Sequence, residues 1–554
     1  SASIDLSTSQ INGSYLSVGE DIDITTGIFT TLYSSAVGTA PAGWNILTDD
    51  VVFVWSGNTS TDWDTPENWE TGIVPAADGT RTVEIPDVSA GSNTYPALAT
   101  AIDLASLTID ANASVRLNGQ NIECGTSFTN NGRVYSNGAG SVTIPAAAAG
   151  VWEYTAGTVH EDVTFGTLVI NGTVASPGIA FSTALLTVET GRTFNLGNNV
   201  TVTNTLTNNG TIALGNSNYV LSFDTYTEGV SSAITVGNGS ITSTKAAGPA
   251  QNVSRVTFTN GSTTTINGGA GGITIASPVY NTTGIITTGT VSLPTGTIGS
   301  LNVQSGTTNA DALTVNTTVG VAAAGTLVFT GDTTVTGNLT VTGSFTSTTG
   351  MLSLEGNLSL PVTASSFDAN GGTIRFTGTG DQTVNPGLNG AGTPNAFSTI
   401  NIAKTGGSIS FNTNPLTVTT LSQTTADTFA ITFNENLSVT NAVTFSTSGT
   451  VTLGDADTDV FTFDGGVTHT AGNTTLSGTL QTSDDAITLQ NISLGSASAI
   501  TTGNEVIQIN GNITGGGYNL TLVSGSGATT VSGNAAGLGT VTLQSDVAGA
   551  TGTV

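Results

Sequence analysis

The phrase FTNNGRV, residues 128–134, returns as LTNNGTI at residues 206–212. Each copy closes a longer block: LTIDANASVRL (107–117) set above LTVETGRTFNL (186–196) aligns Leu107 with Leu186, Ile109 with Val188 and Leu117 with Leu196 without a gap. Further along, GNLTVTGSF (337–345) recurs as GNLSLPVTA (356–364), nineteen residues later. Gly350-Met351-Leu352-Ser353-Leu354 is echoed by Gly372-Thr373-Ile374-Arg375-Phe376 after twenty-two. NLTV at 338 has relatives in NLSV at 436 and NLTL at 519. A unit of about twenty residues holds two or three short strands and cannot enclose its own apolar side chains, so it must stack on its neighbours. The spacing predicts an all-β, right-handed parallel β-solenoid, with Val, Ile, Leu and Phe of successive coils piled one above another at about 4.8 Å. From residue 101 to 554 there is room for roughly twenty coils, a rod of roughly 100 Å. Asn and Gly at the corners are expected to supply positive φ and to ladder their amides along the axis. The alternative is tandem β-sandwich domains with units of roughly ninety residues, which the eighty-residue echo fits loosely and the shorter offsets do not.

Composition agrees with strands and turns. Of 554 residues, 8% are charged, 6% aromatic and 72 are glycine, while lysine is confined to Lys245 and Lys404, so solvated helix faces have little to be built from. With 37 acids against 8 basic residues the net charge is −29. Nucleic acid is excluded as a partner, because phosphate neutralisation needs basic patches. The lone Cys124 rules out an intrachain disulfide and reads as a small buried residue. No apolar run approaches the roughly 20 residues that span a bilayer, so membrane insertion is not expected. The chain lacks an initiator Met and a basic, apolar leader, which fits a mature or truncated piece of something longer.

Three regions follow. Residues 1–50 read as an extended segment in which Ile4, Leu6, Ile22 and Ile24 alternate with polar residues, a candidate assembly strand that adds to a neighbouring subunit or packs along its own rod. Residues 51–100 hold Trp55, Trp63 and Trp69 in WSGNTSTDWDTPENWETGIVP. Bulky rings on a looped segment suit a cap over an open solenoid end; a sugar-binding platform of rings and acids is the alternative. Residues 101–554 form the repeats, with loops expected near 144–150, 245–252 and 385–397.

These stretches, WSGNTSTDWDTPENW followed by GIVP, then SLTIDANASVRLNG, FTNNGRV and IRFTGTGDQTV (374–384), resemble the repetitive β-helical surface proteins of environmental bacteria, in the broad style of filamentous-haemagglutinin-type and autotransporter-passenger adhesins. The resemblance covers nearly all of the chain after residue 50. It implies secretion, a solenoid fold and a role in coats, adhesion or filaments, and it carries over no catalytic residue.

Chemistry-bearing clusters are sparse. β-Helices also host polysaccharide lyases and hydrolases, but those need paired carboxylates, or carboxylates beside a basic residue, and no such cluster stands out. His160 and His469 lack a nucleophile or acid partner and read as solvated. In GDADTDVFTFDGG (454–466), Asp455, Asp457 and Asp459 alternate as calcium-loop ligands do, although Val460 and Gly466 break the EF-hand pattern. The sequons at Asn58, Asn112, Asn171, Asn338, Asn436 and Asn519 are as numerous as this composition produces by chance. The Thr340-Val341-Thr342 type of pair is too irregularly spaced in sequence for an ice-matching array. The reading is a secreted, non-enzymatic structural protein of the cell surface that self-associates into a fibre or lattice. Its alternatives are a carbohydrate-binding or carbohydrate-cleaving β-helix, with cell-surface glycans as partners, and a calcium-crosslinked lattice protein.

Overall fold

The computed structural model describes residues 52–544, apart from internal stretches at 137–139, 141, 144–147, 160–164, 216, 247, 254, 259–262, 276–278, 281–283 and 361–365. Ile4, Leu6, Ile22 and Ile24 therefore lie outside the described residues. The chain divides into two compact units, Ser1–Thr167 and Leu168–Val554. Among the described residues there is no α-helix, and one 3-10 turn, Pro66–Asn68, interrupts the strands.

Parallel pairing between residues about twenty apart is what makes this a solenoid rather than a string of sandwiches. Across the described residues the chain makes about 21 turns. In the second unit each turn contributes to three ladders. The first runs Val200, Leu221, Ile241, Ile266; the second includes Leu416, Leu437, Phe461, Leu480, Ile500 and Leu522; the third includes Val443, Val467, Ile487 and Ile507. The chain visits first, second and third faces in that order on every turn, so the cross-section is three-sided. The offsets visible in sequence are single steps on these ladders: Leu339 pairs with Leu358, and Leu352 with Ile374. Step length is elastic, from the sixteen residues between Ile285 and Leu301 to the twenty-seven between Val384 and Phe411. Around Pro386–Asn395 the extra length forms a surface excursion closed by an antiparallel bridge between Leu388 and Pro394.

Strand alternation puts every second side chain inside. In Ala430–Phe433, for example, Ile431 and Phe433 are buried while Ala430 and Thr432 face outward. Phe433 lies flat on Phe411 of the preceding coil, centroids 4.8 Å apart, and each such ring contributes about 2–3 kcal/mol by burial, which no isolated coil could collect. The first unit is built the same way, with Ile102 on Ile122, Leu107 on Phe128, and Val115 on Val134 on Trp152.

The recurring Asn-Asn-Gly phrase is a corner. Asn208 is fully buried; its Oδ1 accepts the Gly210 N–H (3.2 Å), and its Nδ2 donates to the Ala233 carbonyl of the next coil (3.1 Å) and to the Tyr226 hydroxyl (3.3 Å). In the first unit Asn130, equally buried, accepts from the Gly132 N–H (3.0 Å) and donates to the Val151 carbonyl (3.5 Å). The glycine is there for room. A Cβ on Gly210 would stand 2.4 Å from the Arg192 carbonyl oxygen, and one on Gly132 would stand 2.3 Å from that of Ala113. Neither of these two glycines sits at positive φ, whereas Gly119, Gly191 and Gly371 do, as do Asn112, Asn118 and Asn370; the expected left-handed corners are present elsewhere in the chain, and this phrase is set by close approach instead. The expected asparagine ladder is also mostly of another kind. Asn338 Oδ1 accepts the Asn357 N–H (2.9 Å) and Asn357 Oδ1 the Thr383 N–H (2.8 Å), side chain to backbone, coil after coil. Amide meets amide at Asn412 and Asn434 (2.9 Å).

Candidate functional site

The tryptophan segment folds back on itself. Trp55, Trp63 and Trp69 are 0%, 1% and 2% exposed, with Trp69 edge-on to both others at centroid distances of 5.1 and 4.7 Å. Trp55 Nε1 donates to the Thr94 carbonyl (2.7 Å) and Trp69 Nε1 to the Trp63 carbonyl (2.8 Å). The buried Asn68 side chain ties the loop together, accepting the Thr59 and Ser60 N–H groups and donating to Ser60 Oγ and the Asp62 carbonyl. Ring faces so spent on one another offer no surface on which a sugar could stack, and the glycan-platform alternative for these three residues is corrected accordingly.

Nor do the aspartates of 454–466 converge. Asp455 and Asp457 are exposed. Asp459, 9% exposed, turns inward, where its Oδ2 accepts the Asp455 and Ala456 N–H groups at 3.0 and 2.9 Å. The carboxylate that would have completed a calcium loop instead satisfies the loop's own backbone. Among the described residues no group of three His, Cys, Asp or Glu is gathered in a metal-binding arrangement.

Two buried ionisable groups escaped the sequence reading. His469 is 1% exposed, not solvated. Its Nδ1 meets Thr474 Oγ1 (2.9 Å) and its Nε2 the Thr447 carbonyl (3.3 Å), and desolvation pushes its pKa below the usual imidazole range against the opposing pull of that carbonyl. Lys404, fully buried, donates to the Gly380 carbonyl (2.7 Å) and Gln382 Oε1 (2.9 Å). Desolvation lowers its pKa, and Asp381 partly opposes the shift. Both groups bridge one coil to the one before. His469 occupies an inward strand position, a signal in the alternation of VTHT that the sequence does hold. Cys124 is buried as expected, its thiol pushed up to about 12, mainly by desolvation.

What the second unit presents outward is more unusual than anything it holds inside. Through seventeen successive pairings, from the strand opening at Phe181 to Ala535–Ala536, no strand residue on the first face is ionisable. One outward column reads Ser410, Thr432, Thr452, Thr475, Ser493, Thr514, paired rung to rung. Asp224 follows Phe223 at the bend that leaves the first face, the second face carries Glu228 and Asp368 on its strands, and the third carries Arg375 and the inward His469. All nine acids between Asn385 and Gln544 sit in the turns, Asp427, Glu435 and Glu505 among them. In a chain of net charge −29, the repulsive charge is thus placed along edges and kept off one flat, hydroxylated side.

No protein family, curated protein or solved structure matches the chain. What it shares with repetitive β-helical proteins is the coiled architecture itself.

Proposed function

We infer that the protein is a structural component of a cell-surface coat, fibre or adhesin, in which the solenoid supplies extension and a long contact surface and performs no catalysis. The observation that carries this reading is the stack itself: in the second unit the first ladder continues without a gap from Phe181 to Ala536, with long runs of the second and third beside it, although coil length varies. Such a stack spends its sequence on length and repeats one surface many times, which suits multivalent contact better than a single pocket. Secretion belongs to the same proposal, and it accords with a surface of hydroxyls, amides and scattered acids.

Electron microscopy of the purified chain and of native material tests the reading. Fibres, sheets or laterally associated rods are expected. Isolated particles at high protein concentration, with no counterpart on the cell surface, would refute it.

A further inference from the structure

We propose that two copies of the chain pair laterally through the uncharged first face of the second unit. The inference rests on the structural reading above and names the surface and the partner that this reading leaves open.

Three observations select a second copy as the occupant. The first is charge placement. Two chains of net charge −29 repel wherever acids face acids, and the first face is the side on which strands bring no charge at all. Joining first face to first face keeps the turn acids at the rim, where water and salt screen them. The second is periodicity. The face is mainly hydroxyls and amides, interrupted at Ile286, Gly320 and Ala430, repeating at the coil spacing of about 4.8 Å, and the one surface certain to share that spacing is another copy. Ser410, Thr432, Thr452 and Thr475 are each only partly exposed and sit directly above one another, so a matching column can interleave hydroxyl with hydroxyl, each able to donate and to accept. The third is area. Seventeen steps of about 4.8 Å give a face about 80 Å long, and strands of three or four residues make it about 10–13 Å wide, hence roughly 800–1,000 Å² per copy. A standard stable interface buries about 800 Å² per partner, so the face suffices only if most of its length is engaged. Pairing over a few coils would be too small.

This interface has an ionic signature opposite to that of a salt-bridged one. Its attraction is neutral and its opposition is the like charge of the rims, so association should strengthen as the screening length falls from about 30 Å at 0.01 M salt to about 3 Å at 1 M.

The full chain is followed by sedimentation velocity across that range, beside two triple variants. Thr201→Glu, Thr340→Glu and Thr475→Glu place three well-separated carboxylates on the first face; Thr235→Glu, Thr334→Glu and Thr488→Glu place the same charge at outward positions of the third face. Retained β circular dichroism and an unchanged melting transition show that each variant folds. The wild type and the third-face variant are expected to dimerise with dissociation constants within about threefold of each other, both tightening with salt, while the first-face variant is weakened by at least about tenfold. If both variants associate like the wild type, the first face is not the interface, although self-association stands. Association that weakens with salt overturns the neutral interface as well. A wild type that stays monomeric at every salt concentration sinks both this pairing and the self-associating reading of function. So would a monomer that instead adsorbs through the first face to an insoluble neutral glucan, which would assign the face to a polymer.

Discussion

Replacing Asn208 by alanine isolates the device that repeats at the corners. The amide makes three bonds, one within its own turn to Gly210 N–H and two onward to the Ala233 carbonyl and the Tyr226 hydroxyl. Asn208, Gly210 and the Tyr226 ring are all buried, so water cannot take over the bonds cheaply. Each backbone group left unsatisfied in the interior costs about 1–3 kcal/mol, and with at least two orphaned the substitution should cost about 2–5 kcal/mol. Asn209, the next residue and the other asparagine of the phrase, makes none of these side-chain bonds, and its alanine variant should cost less than about 0.5 kcal/mol, as surface changes usually do. Urea unfolding monitored by circular dichroism gives the midpoint shift, with an unchanged slope showing that the unfolded reference has not moved. Hydrogen exchange at the Gly210 amide reads the corner directly, because a stacked array opens locally before it unfolds as a whole. Protection there should fall in Asn208→Ala and hold in Asn209→Ala. Equal costs for the two variants, or an Asn208→Ala protein within about 0.5 kcal/mol of wild type, would refute the corner argument.

Trp63→Ala should cost about 3–5 kcal/mol and loosen the neighbouring rings, visible as a red shift of tryptophan emission. Asp459→Ala leaves two N–H groups of its turn without their acceptor and should cost about 1–3 kcal/mol, whereas Asp457→Ala should be close to neutral, and neither melting temperature should respond to calcium or chelator; a calcium-dependent rise would place an ion at the loop. Because burial depresses the His469 pKa, the unfolded chain binds the proton first as pH falls below about 6.5. His469 therefore costs stability progressively below that point until its folded pKa is reached, and His469→Gln should narrow the gap between stability at pH 7 and pH 5. Lys404 has the same sign in the alkaline range. Its folded pKa is lowered, so wild type should gain stability relative to Lys404→Met as pH rises from that lowered value to about 10.4, in paired denaturation curves.

The fold could be read from the sequence because the ladder is written into it. GNLTVTGSF and GNLSLPVTA lie nineteen residues apart since Leu339 stacks on Leu358, and the same holds for the twenty-two residues between Leu352 and Ile374. What could not be read was anything decided by the coil above or below. Gly210 reads as a turn residue in sequence, yet it is fixed by a carbonyl eighteen positions earlier, at Arg192. Asp459 has the spacing of a ligand but is claimed by its own turn. Trp55, Trp63 and Trp69 look alike in sequence whether they pack on one another or display their rings, and only the contacts among them show that they are not displayed. The neutrality of the first face was hidden for a further reason. Its strands are scattered through the chain, and they line up only once the three-sided order of the coils is known.

The elasticity of the coil bears on how such a protein can change. A step runs to sixteen residues at one place and to twenty-seven at another while the rungs on either side stay paired, and the excursion at Pro386–Asn395 shows that surplus residues bulge out of a bend instead of shearing the stack. Insertions are therefore cheap at the bends and costly on the rungs. A lineage of such chains can gain, lose and diversify its protruding loops one at a time, as a rack accepts new tools, while the beam beneath them keeps its dimensions.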